Sequence, residues 1–293
     1  MKLIDGKKIA AEIRADLKEK GKKLLDEKGI IPCIALLLVG DNPASKIYVK
    51  MKDKASKEVG FKSIILDKPS DTSEEEVLAI VNKWNNDPEV HGILVQLPLP
   101  KHIDEQKVIT SISPSKDVDG FHPENMGRLV LGLPGFVPCT PAGIVELINR
   151  SVDNVKGKHL VVVGRSNIVG KPIANLMYQK NKQANATVTI CHTGTDNIAK
   201  YTRQADILIA AMGVPEAMTN DQVKEGAVVI DVGVNRVDAP ETEKGYRLCG
   251  DVDFENVKDK TEAITPVPGG VGPMTIAMLM RNTYLSAAGE IEY

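Results

Sequence analysis

The chain has 293 residues, 37 basic against 39 acidic side chains, and a formal net charge of −2. That length suits about two domains, and the balanced charge, with no dense basic stripe, excludes an electrostatic case for nucleic acid as a partner. The four cysteines (Cys33, Cys139, Cys191, Cys249) form no C-x-x-C pair and the five histidines no H-E-x-x-H cluster, so neither a disulfide framework nor a bound metal is expected.

The N-terminal stretch MKLIDGKKIAAEIRADLKEK reads as an acid-containing amphipathic helix, not a signal or transit peptide. The longest apolar runs are of strand length, so no membrane span is expected and the reading is a soluble, cytoplasmic protein. From Pro32 to Leu97, three apolar runs (CIALLLV, FKSIIL and GILVQL) alternate with helical segments, the second of them opened by Asp71, Thr72 and Ser73 ahead of EEEVLAIVNKW. This rhythm predicts βαβαβ. The first helical segment contains SKIYVKMKDK. Wound at about 100° per residue, it places Ile47, Met51, Ala55 and Val59 on one arc with Tyr48 between them, and that arc is the expected buried face. Lys50, Lys54 and Lys57 fall opposite, while Lys52 falls on the margin. Either Lys52 lays its methylenes on the core and reaches water with its ammonium, or it is a partly desolvated amine with a lowered pKa, able to move protons.

A turn-rich region follows, from LPLPKH through SPSKDVDGFHPENMGRLVLGLPGFVPCTP, and the domain boundary is expected there. A helix from about Pro141 to Arg150 comes next, with proline in its first turn. The second half restarts the alternation: HLVVVG, a helix from about Val169, ATVTIC, a helix from about Thr195, DILIAAM, a short helix, and AVVIDVG. That is the pattern of a parallel, doubly wound sheet. A glycine-rich loop, TPVPGGVGPM, leads into a last apolar helix, TIAMLMRNTYLSAA, expected to pack between elements and return to the first domain. The expected architecture is therefore α/β with two domains. Residues 1–140 and 272–293 form an N-terminal αβα domain, and residues 141–271 a C-terminal Rossmann-like doubly wound domain.

The stretch VVVGRSNIVGKP stands where a strand turns into a helix. Gly164 and Gly170 are present, but Ser166 occupies the middle glycine position, so the spacing alone fits a dinucleotide loop or a tight structural turn. The next strand ends TICHTGT, without the carboxylate that binds a ribose 2′-hydroxyl. Arg165 and Thr193 are candidate partners for a 2′-phosphate, which favours NADP and leaves NAD possible; a surface ion pair is the other use for Arg165.

Four further stretches are SKIYVKMK, VQLPLP around Gln96, KDVDGFHPENMG around Asp119, and TPVPGGVGPMT. Taken singly, each has a structural reading: Asp117 and Asp119 build an Asp-Gly turn, Gln96 caps strand-end backbone groups, and Tyr48 fills core with its hydroxyl at the rim. Together with PCTPAG and GRSNIVGKP, in this order, they closely resemble the methylenetetrahydrofolate dehydrogenase/methenyltetrahydrofolate cyclohydrolase family, the bifunctional bacterial FolD type, over essentially the whole chain.

The resemblance implies a Tyr-x-x-x-Lys pair at Tyr48 and Lys52, the lysine's glutamine partner at Gln96, and a pterin-binding aspartate at Asp119. It implies further substrate contacts at Leu97, Pro268, Gly269, Gly270 and Val271. Cofactor contacts are implied at Gly164, Arg165, Ser166, Gly170, Thr193, Gly233, Val234 and Thr275, with NADP on the second domain, folate across the first, a cleft between them and no metal. The implied chemistry is oxidation of the methylene bridge of tetrahydrofolate, then hydrolysis of the methenyl cation with Lys52 as general base and acid, Gln96 positioning it and Tyr48 shaping the pocket. A homodimer through the Rossmann domain and a place in one-carbon metabolism and purine biosynthesis are implied as well. Cys139 is read as structural and His192 as a strand-end or cofactor-edge residue, not a catalyst. The rival readings are a monofunctional dehydrogenase and a non-catalytic nucleotide sensor; the joint presence of Tyr48, Lys52, Gln96 and Asp119 argues against both.

Overall fold

The computed structural model describes residues 1–242, 245–291 and 293. In chain order the elements begin β1 (Lys2–Leu3), α1 (Gly6–Lys28), β2 (Cys33–Val39), α2 (Pro43–Glu58), β3 (Lys62–Lys68), α3 (Glu74–Asn85), β4 (Gly92–Val95), α4 (Glu105–Ser111) and α5 (Pro123–Leu131). They continue α6 (Cys139–Asn149), β5 (His159–Val163), α7 (Gly170–Met177), β6 (Thr187–Cys191), α8 (Ile198–Thr202), β7 (Ile207–Ala210), β8 (Val228–Asp231), β9 (Asn235–Asp238), β10 (Tyr246–Cys249), α9 (Phe254–Val257), β11 (Ala263–Ile264) and α10 (Val271–Ala288). The chain divides into two compact units, one of Ala11–Cys139 and Ile276–Tyr293, the other of Met1–Ala10 and Thr140–Thr275.

The first of these is built on a parallel three-stranded sheet in the order β3-β2-β4. Every residue of β2, CIALLLV, is buried, as a central strand covered on both faces requires. Its Ala35, Leu37 and Val39 pack with Val77, Val81 and Trp84 of α3 and with Ile93 and Val95 of β4, each full-size aliphatic contributing about 1.5–3 kcal/mol by burial. α3 starts where its cap dictates: Ser73 Oγ accepts from Glu76 N at 3.2 Å, and Glu74, Glu75 and Glu76 fill the positive first turn. The turn-rich region holds two helices not foreseen from the sequence. Asp104 caps α4 by accepting from Gln106 N and Lys107 N, and α5 opens with Pro123 behind the capping ring of His122 and stops at Gly132 in the left-handed region. Ile276–Tyr293 falls in this unit, where Asn282 Nδ2 donates to Val118 O (2.9 Å) and Val137 O (3.0 Å).

The other unit carries a six-stranded sheet, β1-β11-β8-β7-β5-β6, with every pairing parallel. From β5 the chain moves to β6 on one side and then to β7 on the other, so the topological switch point lies at the carboxyl end of β5. Residues 1–10 belong to this sheet's unit and not to the folate domain expected from the sequence. Lys2 and Leu3 pair with Ala263 and Ile264, and Ile4 N donates to Ile264 O at 2.8 Å; a two-residue strand has no periodicity to betray it. The remaining boundaries fall after Cys139 and Thr275. The β9-β10 antiparallel hairpin is a further element absent from the sequence reading. Among the described residues, no helix is long and apolar enough to cross a membrane.

Candidate active site

The helix α2 is fixed at its start by Asn42, whose side chain accepts from Ala44 N (3.0 Å) and Ser45 N (3.2 Å), with Pro43 in the first turn. Its inward stripe differs from the arc expected. Ile47, Tyr48 and Met51 are 59%, 46% and 46% exposed, while Ser45, Val49, Ala55, Ser56 and Val59 are buried. The positions 45, 49, 52, 56 and 59 follow helical spacing, so Lys52 lies on the inward stripe and not at its margin. Hydropathy pointed elsewhere because two of those positions are serines, whose hydroxyls donate to Leu97 O (3.5 Å) and Lys62 O (3.2 Å). Lys50, Lys54 and Lys57 are exposed as expected, and Lys57 pairs with Asp53 at 2.7 Å.

Lys52 Nζ donates to Gln96 Oε1 at 2.9 Å. Gln96 directly follows β4, its N–H donating to Leu37 O (2.8 Å) and its Nε2 to Leu97 O (2.7 Å), so the amide oxygen is left to face the lysine. This is the carboxyl end of a parallel strand, where open α/β sheets bind ligands. Burial pushes the Lys52 ammonium below its ordinary pKa, against the opposing pull of Asp119 and Cys139. Burial likewise pushes Asp119 up, against the attraction of Lys52 and a hydrogen bond from Cys139. In both partners lost hydration outweighs mutual attraction, and the pair is biased toward its neutral forms.

The two aspartates of DVDG have separate duties. Asp117 is buried; its Oδ1 accepts from Gly120 N (3.2 Å) and its Oδ2 from His122 N (2.7 Å) and Asn125 Nδ2 (2.9 Å), and burial raises its pKa to about 7. The turn is therefore Asp117's work, which leaves the partly buried Asp119 for other partners. Cys139, assigned a structural role from the sequence, lies in the same electrostatic cluster. Its sulfur is 3.3 Å from Val118 O, and burial together with Asp119 raises the thiol well above its usual range. Such a thiol is a poor nucleophile but a hydrogen-bond donor to Asp119, a part that no local motif announced.

The other group of expected residues lies in the six-stranded unit. Between β5 and α7, Gly164 has φ +136°, and a Cβ there would stand 2.2 Å from Ala211 O. A Cβ on Gly170 would stand 2.3 Å from Gly164 O. Ser166 Oγ accepts from Val169 N (3.1 Å) and Gly170 N (3.3 Å), which fixes the loop leading into α7. Arg165 is exposed and enters no ion pair among the described residues, so the surface-pair use for it is not seen. Thr193 is exposed beyond β6 in a turn closed by His192 N to Thr195 Oγ1 (3.0 Å) and Gly194 N to His192 Nδ1 (3.0 Å), and His192 stands at the strand end in that turn. Buried Gly233 and exposed Val234 follow β8. Thr275 Oγ1 is 2.9 Å from Thr140 Oγ1. Pro268 is exposed, Gly269, Gly270 and Val271 are buried, and Gly269 O accepts from Lys7 N at 3.0 Å. A tight, exposed, carboxylate-free loop at the switch point, with a free guanidinium beside it, fits a phosphate-bearing dinucleotide. Among the described residues, no group of three or more histidine, cysteine, aspartate or glutamate side chains is placed to hold a metal ion.

Comparison with known proteins also finds two domains in this order, with residues 4–10 and 276–290 assigned to the opposite domain from the compact units. Residues 4–119 match the family model described as tetrahydrofolate dehydrogenase/cyclohydrolase, catalytic domain, and residues 138–290 the one described as its NAD(P)-binding domain. The chain is 56% identical over 288 residues to the bifunctional protein FolD of Chlorobium phaeobacteroides, covering 98% of this chain and 97% of that one. The crystal structure of the bifunctional FolD dehydrogenase/cyclohydrolase of Campylobacter jejuni is 50% identical, with a TM-score of 0.93 over 99% of each chain. The Trypanosoma brucei dehydrogenase-cyclohydrolase, solved with NADP and an inhibitor, is 37% identical with a TM-score of 0.92 over 98% of this chain and 97% of that one. With both of its domains matched in order and the lysine, glutamine and aspartate of its pattern gathered in one unit, the chain belongs to the tetrahydrofolate dehydrogenase/cyclohydrolase family.

Proposed function

We infer that the protein oxidises 5,10-methylenetetrahydrofolate to 5,10-methenyltetrahydrofolate with NADP+ and then hydrolyses that product to 10-formyltetrahydrofolate. The observation that carries the reading is the Lys52–Gln96 pair, an inward amine held at 2.9 Å by an oriented amide and shifted toward neutrality, in a chain of this family. Bound NADP+ supplies the acceptor for the two electrons and the hydrogen that leave the methylene carbon. Gly164 and Gly170 shape the loop that would hold its phosphates, Arg165 and Thr193 would take the 2′-phosphate, and Gly233, Val234 and Thr275 would line the remainder.

Oxidation leaves a cation shared by N5, the bridging carbon and N10. Water adds to that carbon while neutral Lys52 accepts its first proton; that proton is passed to N5 as the carbon–N5 bond breaks, and the remaining hydroxyl proton leaves to solvent as the formyl C=O forms on N10. Gln96 holds the amine in line throughout, and the exposed ring of Tyr48 on the same helix shapes the pocket. Asp119 accepts the paired donors of the pterin edge, and Leu97 is a further substrate contact. The protein is further read as a cytoplasmic homodimer joined through the six-stranded unit, whose edge strand β6 is partly exposed; light scattering on the purified protein checks the dimer.

The test is an initial-rate measurement with 5,10-methylenetetrahydrofolate and either NADP+ or NAD+, following reduced nicotinamide and the methenyl species separately by absorbance. Faster reduction of NADP+ with little methenyl accumulating is expected. Stoichiometric methenyl accumulation would remove the hydrolytic half, and no nucleotide reduction would remove the reading as a whole.

A further inference from the structure

The cofactor edge of the six-stranded unit is organised by two carboxylates that no motif marks. Asp251 follows β10 and is fully buried. Its Oδ2 accepts from Met212 N (2.6 Å) and Gly213 N (2.9 Å), and its Oδ1 from Val214 N (3.1 Å) and Asn235 Nδ2 (2.9 Å). Residues 212–214 are the exit of β7 and residues 232–235 the exit of β8, so one side chain ties together the carboxyl-end loops of two adjacent strands. Asp231, at the end of β8, holds Asp251 in turn by accepting from Asp251 N (2.9 Å), Val252 N (3.0 Å) and Gly233 N (3.0 Å).

The glycines record the same arrangement. A Cβ on Gly233 would stand 2.2 Å from Asp251 Oδ1, and one on Gly250 1.8 Å from Asp231 Oδ2. Gly233 is thus glycine because a carboxylate fills the space beside it, a reason independent of any cofactor contact. The two tied exits carry apolar side chains turned to solvent: Val214 is 50% exposed and Val234 52%. Exposed valines at the carboxyl ends of parallel strands, next to the switch point, suit the flat ring of a nucleotide cofactor.

We propose that Asp251 is a positioning residue for the nucleotide, setting the β7 and β8 exits, with Val214 and Val234, in the geometry that binds it. This rests on the reading of that edge as the NADP site. Asparagine is not a substitute. It offers one acceptor oxygen and turns two N–H donors toward backbone N–H groups that now donate to a carboxylate.

The test measures NADP+ binding by titration calorimetry for the wild type, Asp251→Asn and Asn235→Ala, beside nucleotide-free hydrolysis of 5,10-methenyltetrahydrofolate. Asp251→Asn is expected to raise the NADP+ Kd about tenfold or more, and Asn235→Ala, which removes one donor, about threefold. Hydrolysis should stay within about twofold of wild type, since Lys52, Gln96 and Asp119 lie in the other unit. A folded Asp251→Asn with unchanged Kd overturns the proposal, as does a parallel fall in binding and hydrolysis, the mark of a merely structural residue. Where Asp251→Asn does not fold, Asn235→Ala decides: a raised Kd supports the proposal and an unchanged one overturns it. A wild type that binds no NADP+ fails the reading of the site itself, and the proposal with it.

Discussion

The two units hold their functional groups in different ways. In the three-stranded unit the proposed groups are side chains, Lys52 and Asp119, which burial shifts toward their neutral forms, and Gln96, whose amide holds the lysine. In the six-stranded unit they are backbone loops whose path is set by glycines and whose anchors are the buried carboxylates Asp231 and Asp251. Proton transfer needs a titratable atom at a tuned pKa. Dinucleotide binding needs close approach and aligned N–H groups, which side chains obstruct. The contrast makes the units separable by mutation, each substitution striking one function.

The largest effect is expected at Lys52. Lys52→Met should slow methenyl hydrolysis by about 10²–10⁴-fold, the usual worth of a placed general base, with the circular dichroism spectrum and NADP+ binding retained; near-normal hydrolysis would break the contrast at its strongest point. Next comes Arg165→Ser, expected to reduce the preference for NADP+ over NAD+ by about tenfold or more through loss of a charge-assisted contact, read as the ratio of kcat/KM values, with hydrolysis unmoved. Gly170→Ala sets a methyl against Gly164 O, and should lower stability by about 1–3 kcal/mol in denaturant titrations while weakening NADP+ binding. The finest effect is a pH shift. Because the Asp119 charge opposes the burial effect on Lys52, Asp119→Asn should lower the amine's pKa further and move the acid limb of hydrolysis at saturating substrate to lower pH; a move to higher pH would contradict the assigned electrostatics.

Much of this was legible before the structure, and the gaps have physical causes. The βαβαβ run and the second alternating run are apolar strands of ordinary length, so periodicity found them. The inward stripe of α2 was misplaced because Ser45 and Ser56 satisfy their hydroxyls on nearby carbonyls, and so polar residues stand where apolar ones were sought. β1 escaped because its partner lies some 260 residues away in β11 and pairing at that distance leaves no local trace. The resemblance singled out Asp119, but nothing local in the sequence separates its duty from that of Asp117; the donors around Asp117 show that it is the carboxylate that builds the turn. Gly233 was expected for its contact with the cofactor, and its nearest constraint proved to be Asp251.

The central claim is that Lys52 is an amine kept partly neutral by its place on the inward face of α2. Its titration can be followed directly, by carbon-13 resonances of labelled lysine side chains, with Lys52→Met identifying the signal. The account predicts a midpoint for Lys52 below the value of about 10.4 for a solvated lysine and below those of Lys50 and Lys54 on the exposed face. A midpoint at or above that of its exposed neighbours would contradict it.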